Sequence, residues 1–216
     1  MKSFVTVAWD AQRCGREIGH LRALLAKHDA LGEKEHVLPL FRRCSHLAAF
    51  VGSYHPRILT CNRLAFEYDL FGDFTCDLVS GDSTRNTYNF VEFEDARPSS
   101  VFRRQGRKAT REASPRFEHG WSQIIDWFCK LRDMEKSDEF VARFGARTID
   151  FTGTLVVGRE RHLRAGERRR LEWRRGSVIV DSKQIQCVTY DELLTDLTER
   201  LQRYTSASPR PRAGKR

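Results

Sequence analysis

The chain has 216 residues, enough for one substantial domain, and its hydrophobic fraction of 40% predicts a packed core. Lysine and arginine number 38 against 29 aspartate and glutamate residues, so the formal net charge is +9. No apolar run approaches the length of a membrane span and the first residues lack a signal peptide's apolar region, so we expect a cytoplasmic protein without membrane contact. The six cysteines are scattered without CxxC spacing, which argues against a zinc site or a disulfide framework.

The basic balance is carried mainly by arginine, whose planar fork can donate two parallel hydrogen bonds to phosphate. It therefore favours a nucleic-acid partner. A generic cationic surface and an acidic protein partner are the alternatives that charge alone leaves open.

The first half of the chain is predicted to pass from helices into a run of strands. Apolar residues recur at helical spacing, and alternating apolar and acidic residues then indicate strands separated by turn residues. The predicted elements are a strand at 3–9, helices at 10–30 and 33–51, and strands at 63–70, 74–79 and 88–94. Three consecutive short strands predict an antiparallel meander within a larger sheet.

The second half contains the strongest helix prediction, at 116–131, where apolar residues form one stripe. The other predicted elements are a basic loop at 98–115, a strand at 152–157, an arginine-rich helix or hairpin at 159–175, a short strand at 178–180 and a helix at 191–204. We expect residues 1–20 to form an N-terminal segment, 21–204 a single domain and 205–216 a disordered basic tail.

Three acids stand in apolar strands: Asp77 in one, Glu92 and Glu94 in the next. Because successive strand residues point to opposite faces, Glu92 and Glu94 are expected about 6 to 7 Å apart on one face, with Phe93 on the other. An acid inside an apolar strand is costly unless it is paired, and a divalent metal is one such partner. An exposed acidic face paired with arginines is the alternative. The three acids are therefore candidate ligands for Mg²⁺, with Mn²⁺ as a substitute.

The order of these motifs resembles a known enzyme superfamily. Asp77, the triplet Glu92-Phe93-Glu94 and the helix segment 121–127 are similar to the PD-(D/E)XK nucleases, and more narrowly to the Shedu anti-phage nuclease domain. Segments 155–159 and 189–194 match the Shedu pattern as well, so the resemblance extends over most of the chain. It implies an α+β or α/β fold with a restriction-endonuclease-like mixed central sheet flanked by helices. It also implies a homo-oligomer.

The resemblance further implies roles for individual residues. Asp77 and Glu92 would bind metal, with the Phe93 carbonyl as a candidate third ligand, and Gln123 would orient a water or the backbone. Glu94 stands where the family motif has a lysine, which normally positions the water and stabilises developing charge. A glutamate there is expected to bind metal or to act as a general base. Lys108 is a candidate source of the positive charge.

Two basic segments are candidate substrate contacts. The basic loop follows the acids almost directly, so the following residues are predicted to bind DNA phosphates: Arg103, Arg104, Arg107, Lys108 and Arg111. The second segment, at 159–175, is called the arginine cluster below. A DNA face, a subunit contact and a solvated surface are all open for it.

We therefore expect a Mg²⁺-dependent DNA endonuclease of prokaryotic anti-phage defence that hydrolyses phosphodiester bonds. The alternative, which the glutamate at position 94 favours, is a non-catalytic DNA-binding or regulatory module that retains the nuclease fold. A third hypothesis is an assembly subunit that acts through protein contacts. Plasmid cleavage with Mg²⁺ or Mn²⁺ separates the first two, and salt-dependent DNA binding separates the last two.

Overall fold

The computed structural model describes residues 3–207. Its strands are β1 (Val5–Thr6), β2 (Arg63–Leu70), β3 (Phe74–Asp82), β4 (Thr87–Phe93), β5 (Phe102–Arg103), β6 (Glu112–Ala113), β7 (Asp150–Val156), β8 (Ile179–Val180), β9 (Lys183–Gln184) and β10 (Gln186–Val188). Its α-helices are α1 (Ala11–Lys27), α2 (Leu38–Arg43), α3 (Ser45–Phe50), α4 (Pro115–Met134), α5 (Asp138–Phe144), α6 (Ala165–Ser177) and α7 (Tyr190–Ala207). No helix among these residues is both long and apolar enough to cross a membrane.

The central sheet has the strand order β1-β2-β3-β4-β7-β10. The pairs β1–β2, β2–β3 and β3–β4 are antiparallel, which confirms the predicted meander. Strand β7 is parallel to β4, and β10 is parallel to β7. Every residue of β4 is buried, as expected for a strand with neighbours on both edges and helices on both faces.

Helices cover both faces of this sheet. Leu78, Val91 and Phe93 belong to the core shared with α1, α2, α3 and α7. Phe90 and Leu155 belong to the core shared with α4, α5 and α6. The chain is therefore an α+β protein in which helices flank a mixed sheet, as the resemblance implied.

Helix α4 lies unusually close to the sheet. It begins where the Ser114 hydroxyl accepts a hydrogen bond from the Phe117 N–H (3.0 Å), with Pro115 in the first turn. A Cβ on Gly153 of β7 would collide with the Ile124 side chain, and a Cβ on Gly120 would lie 2.7 Å from Leu155 Cδ1. Glycine at both positions lets the helix approach the strands that carry the predicted site.

The helix predicted at 33–51 is wrong as a single element. The structure has a π-helical turn (Glu33–Val37), then α2, α3 and a 3₁₀ turn (Val51–Tyr54). Pro39 lacks an N–H and is tolerated in the first turn of a helix, which is where α2 has it. Cys44 leaves the helical region (φ −109°, ψ 67°) and separates α2 from α3.

Other differences fall on short elements and on the domain limits. Helix α5 and strand β10 were not predicted, whereas residues 165–177 of the arginine-rich segment do form a helix. The boundary expected at residue 20 falls inside α1, and β1 pairs with β2. Of the expected tail, residues 205–207 continue α7 and 208–216 lie outside the described residues.

Candidate active site at the end of strand β4

Asp77 and Glu92 lie where strands β3 and β4 separate. The ladder between these strands ends at the pair Leu78 and Val91. Asp77 and Glu92 are the next residues beyond that pair, one on each strand. The Asp77 carboxylate accepts a hydrogen bond from the Phe93 N–H (2.8 Å). A side chain thus takes the place of a backbone acceptor, and it ties Asp77 to the strand that carries Glu92.

Glu92 faces the layer that contains α4. It pairs in parallel register with Leu155, and laterally paired strand residues share a face. Phe93 points the other way and stacks on Phe41, with ring centroids 4.4 Å apart, as the alternation predicted. The Glu92 side chain is 8% exposed, and within residues 3–207 its carboxylate has no hydrogen-bond or ion-pair partner. Glu92 is thus a buried acid without a counter-charge in the part of the chain that the structure describes.

Glu94 is fixed through its main chain. Its N–H donates to the Val156 carbonyl (2.9 Å), and its own carbonyl accepts from the Tyr190 hydroxyl (2.8 Å). Its carboxylate, in a residue only 3% exposed, accepts a hydrogen bond from Arg116 Nη1 (2.7 Å). Burial raises the pKa of Glu94 to about 7, against the opposing effect of Arg116.

Two acids that the sequence did not single out complete the group. Glu33 Oε2 lies 3.7 Å from Arg116 Nη1, and Asp95 Oδ2 lies 3.6 Å from Arg116 Nε. The Glu33 N–H donates to Asp95 Oδ1 (2.9 Å), and a backbone bridge between Leu31 and Ala96 holds the two segments together. Below, the acid group means Glu33, Asp77, Glu92, Glu94 and Asp95.

The acid group has five carboxyl groups, more than its two arginine partners, Arg97 and Arg116, can neutralise. Burial raises the pKa of Glu92, and the neighbouring Asp77, Glu94 and Glu33 raise it further. Burial likewise raises the pKa of Asp77, although the Phe93 N–H opposes the shift. Removing a charge from water while placing like charges beside it favours the protonated acid. A bound cation would offset both the loss of hydration and the repulsion between the carboxylates.

The donor chemistry of this group fits a hard cation. Carboxylate and carbonyl oxygens are the ligands that Mg²⁺ prefers. Among residues 3–207, however, no three His, Cys, Asp or Glu side chains are arranged to hold a metal ion. Asp77 is turned toward the Phe93 N–H and Glu94 toward Arg116. The three predicted ligands are thus neighbours that do not converge, and a metal would require their side chains to turn.

Gln123 lies on the part of α4 that passes the acids. A Cβ on Gly120, one helical turn earlier, would lie 3.2 Å from Glu94 Cγ. Gln123 is half-buried, and its Oε1 has no hydrogen-bond partner in the described part of the chain. A buried, unpaired acceptor is uncommon and fits a residue that orients a water or a ligand.

A cavity of about 510 Å³ opens beside Glu94 and Asp95. Arg97, Arg103, Arg116 and His119 contribute to its wall, together with serines 99, 100 and 114. Anionic groups at its base and cations along its wall suit a phosphate that must approach carboxylates.

The predicted DNA contacts divide into two groups. The side chains of Arg103, Arg104 and Arg107 are exposed and have no hydrogen-bond or ion-pair partner among residues 3–207. Lys108 instead forms an ion pair with Glu112. Arg111 Nε donates to Glu167 (2.6 Å), and its other nitrogens donate to the carbonyls of Pro98 and His162. Arg111 is therefore held within the fold by an acid and two carbonyls, and its DNA contact stays a prediction.

Fold and site together define an α+β protein with a largely buried acid group beside an arginine-lined cavity at one end of a mixed sheet. The family model described as Shedu protein SduA, C-terminal, matches residues 32–194. The match covers well over half of the chain and includes the whole acid group, so the chain belongs to this family, as the resemblance predicted. Membership suggests a part in anti-phage defence. No curated protein matches the chain.

Proposed function

We propose that this protein is a Mg²⁺-dependent DNA endonuclease of anti-phage defence that acts in the cytoplasm. The supporting observation is the acid group at the end of β4: Glu92, Glu94 and Asp95 are buried, and Glu94 and Asp95 line a cavity together with three arginines. The family membership supports the same activity. As the resemblance implies, we expect Mn²⁺ to substitute for Mg²⁺ and the protein to form a homo-oligomer.

In this proposal the acids divide into two tasks. Asp77 and Glu92 provide the oxygens that hold the metal. A Mg²⁺ ion held there would supply Lewis-acid chemistry, lowering the pKa of the attacking water and stabilising charge on the phosphate. Glu94 accepts the proton of that water, because its pKa of about 7 leaves it partly ionised near neutral pH. The accepting atom is Oε1, since Arg116 binds Oε2. Gln123 Oε1 accepts a hydrogen bond from the same water.

Arg116 supplies the positive charge that the lysine of the family motif would provide. Its guanidinium contacts Glu94, whereas Lys108 is paired with Glu112. A cation fixed next to the reacting phosphate stabilises the charge that develops on its oxygens. The charge therefore comes from α4 rather than from β4.

Asp77→Asn tests the metal assignment without removing a structural contact. The asparagine side chain still accepts the Phe93 N–H but carries no charge. We expect Mg²⁺-dependent nicking of supercoiled plasmid to fall by about 100-fold or more. Asp126→Asn, on the exposed side of α4, is the matched control and should nick normally. Full nicking by Asp77→Asn would contradict the proposal.

Arg116 is tested by the pair Arg116→Lys and Arg116→Gln. The lysine variant keeps the charge and should retain part of the nicking rate, whereas the glutamine variant should lose most of kcat with little change in DNA affinity. Arg97→Gln is the control, because Arg97 lines the same cavity and pairs with Asp95 (3.2 Å). Equal kcat in Arg116→Gln and Arg97→Gln would exclude a special role for Arg116.

A non-catalytic DNA-binding module is the second candidate. The observation that favours it is that Asp77, Glu92 and Glu94 do not converge, with Glu94 in place of the motif lysine. Salt-sensitive DNA binding without cleavage in either Mg²⁺ or Mn²⁺ would select this function.

A further inference from the structure

A second cavity, of about 470 Å³, lies between the β5–β6 hairpin, the start of α4 and helix α6. The proposed active site does not use it. Phe102, Ala113 and Phe117 form its apolar surface, and the two phenylalanine rings lie 6.4 Å apart, centroid to centroid. Below it is called the aromatic cavity.

Trp173 stands at the rim of the aromatic cavity and is 71% exposed. This is the highest value among the large apolar side chains that the structure describes. Trp121 and Trp127 are buried in the core under α4, so exposure is not general among the tryptophans. Trp173 contributes little to the core, and an exposed indole beside an aromatic cavity is typical of a binding surface.

The arginines of the rim are not equivalent. Arg170 stacks over Phe102 (4.6 Å to the ring centroid) and donates to the Arg111 carbonyl (2.6 Å). Arg174 stacks over Phe117 (4.8 Å) and is paired with Glu118. Arg169 is exposed and has no partner among residues 3–207. Two guanidinium planes are thus held in place as walls, and one cation is available for an anion.

Flat aromatic surfaces together with one available guanidinium suit a nucleotide. A base stacks on an indole or a phenyl ring whatever its sequence, and arginine adds cation–π attraction and a bidentate phosphate contact. Bases within a duplex are already stacked on each other, so the base that enters must be unpaired.

The aromatic cavity borders the cavity of the acid group. Phe102 and Phe117 line the aromatic cavity. Arg103 and Arg116, their neighbours in the chain, line the cavity of the acid group. Consecutive Cα atoms are about 3.8 Å apart, so the linings of the two cavities adjoin at two places. Each cavity has an exposed arginine without an acid partner in the described chain, Arg169 in the first and Arg103 in the second, and this pair matches a continuous phosphate backbone better than a free mononucleotide.

We propose that the aromatic cavity binds an unpaired nucleotide of a DNA strand, with its base stacked on Trp173 and on the Arg170 guanidinium that covers Phe102, and its phosphate bound by Arg169. The inference rests on the proposed function and deepens it by assigning a substrate with an unpaired segment. Binding at this cavity requires neither metal nor cleavage, so it can be tested apart from nuclease activity.

The test is fluorescence anisotropy of labelled DNA with EDTA present, using the full chain. The probes are a single strand of about 12 nucleotides, a duplex with a short gap and the same duplex fully paired. We expect Trp173→Ala to weaken binding of the first two probes about tenfold, because stacking contributes about 1–3 kcal/mol per base, and to leave the paired duplex unchanged. Trp173→Phe should retain most of the affinity, and Arg169→Gln should weaken binding of the gapped probe.

Arg22→Gln is the matched control, because Arg22 is an exposed arginine on α1, across the sheet from α6. Thermal unfolding checks that Trp173→Ala is folded, as expected for so exposed a side chain. Equal losses on paired and gapped duplex, or none on either, would overturn the inference. So would a free deoxynucleoside monophosphate that binds as tightly as the single strand. Failure here with normal Mg²⁺ nicking would leave the proposed active site unaffected, whereas normal gapped-DNA binding without nicking would reject the active site alone.

Discussion

The basic loop and the arginine cluster are both rich in arginine, yet they use it in opposite ways. In the loop, Arg103, Arg104 and Arg107 point to solvent without partners in the described chain. In the cluster, most guanidinium groups are paired with acids: Arg159, Arg161, Arg168, Arg174 and Arg175. The number of arginines therefore does not locate a DNA surface, whereas the number without acid partners can.

Arg159 is the most buried of the cluster arginines that pair with acids of the same chain. It is 2% exposed, donates to both oxygens of Asp191 (2.9–3.1 Å) and also donates to the carbonyls of Leu25 and His28. One side chain thus joins the end of α1 to the first turn of α7. In this part of the cluster arginine holds the fold together.

The largest expected effect is on stability. Arg159→Met should lower the free energy of unfolding by roughly 3–5 kcal/mol, because it leaves Asp191 without its buried partner. Denaturant titration of Arg161→Met is the comparison. Arg161 is 48% exposed and pairs with the exposed Asp29, so its loss should cost less than about 1 kcal/mol. Similar losses of unfolding free energy in Arg159→Met and Arg161→Met would contradict the difference between buried and exposed arginines of the cluster.

Arg111 tests the same distinction inside the basic loop. Arg111→Met should lower the free energy of unfolding by about 2–3 kcal/mol, because charged hydrogen bonds to Glu167 are lost. The salt dependence of DNA binding should not change, since the guanidinium is not available to phosphate. A shallower salt dependence with unchanged stability would restore Arg111 as a DNA contact.

The remaining loop arginines should affect DNA binding alone. The triple variant Arg103→Gln, Arg104→Gln and Arg107→Gln should reduce the slope of log K against log salt by up to about 3, since each phosphate contact contributes about 0.9. The matched triple removes Arg161, Arg168 and Arg203, which are exposed but paired with acids. It changes the net charge equally, so an equal change of slope would show that only overall charge matters.

A further expected effect is a dependence of stability on pH. Glu94, with a pKa of about 7, and Asp77 and Glu92, with raised pKa values, hold protons in the folded state that the unfolded chain releases. The free energy of unfolding should therefore fall as pH rises from about 5 to about 8. Added Mg²⁺ should oppose this fall, most strongly at the alkaline end, because it replaces the protons.

Glu92→Gln should flatten this pH dependence, as thermal unfolding at a series of pH values would show. Glu118→Gln is the control, because a hydrogen bond from Arg174 lowers the pKa of Glu118. The contribution of Glu118 to the free energy of unfolding is therefore lost only at lower pH. If Glu92→Gln leaves the pH dependence of the unfolding free energy unchanged, the acid group is not the cause of that dependence.

The sequence predicted elements with strong periodicity and the acids that such elements carry. Strand β2 and helix α4 have clear alternation or a clear stripe, and Asp77 and Glu92 lie side by side as the strand order required. Helix α5 was missed although Ser137 caps it and Gly145 ends it with φ +76°. Strand β10 has only three residues, too few for alternation to be read.

What could not be predicted depends on contacts between distant segments. Glu33 joins the acid group through a bridge between residues 31 and 96, and nothing near residue 33 indicates that pairing. Arg111 and Arg116 belong to the same basic stretch, yet one binds Glu167 and the other Glu94. The sequence shows where charged residues occur, but the fold determines which acid pairs with each arginine.

The hydrogen bond from the Tyr190 hydroxyl to the Glu94 carbonyl has a consequence for protein synthesis. Strand β10 and helix α7, which cover the edge of β7 and fix the main chain at Glu94, leave the ribosome after every member of the acid group. The acids therefore reach their final positions only once residues 186–207 have emerged. Under the proposed function, a nascent chain that already carries all five carboxylates would still be unable to cut the DNA of its own cell, and translation itself would set the moment at which the protein becomes competent.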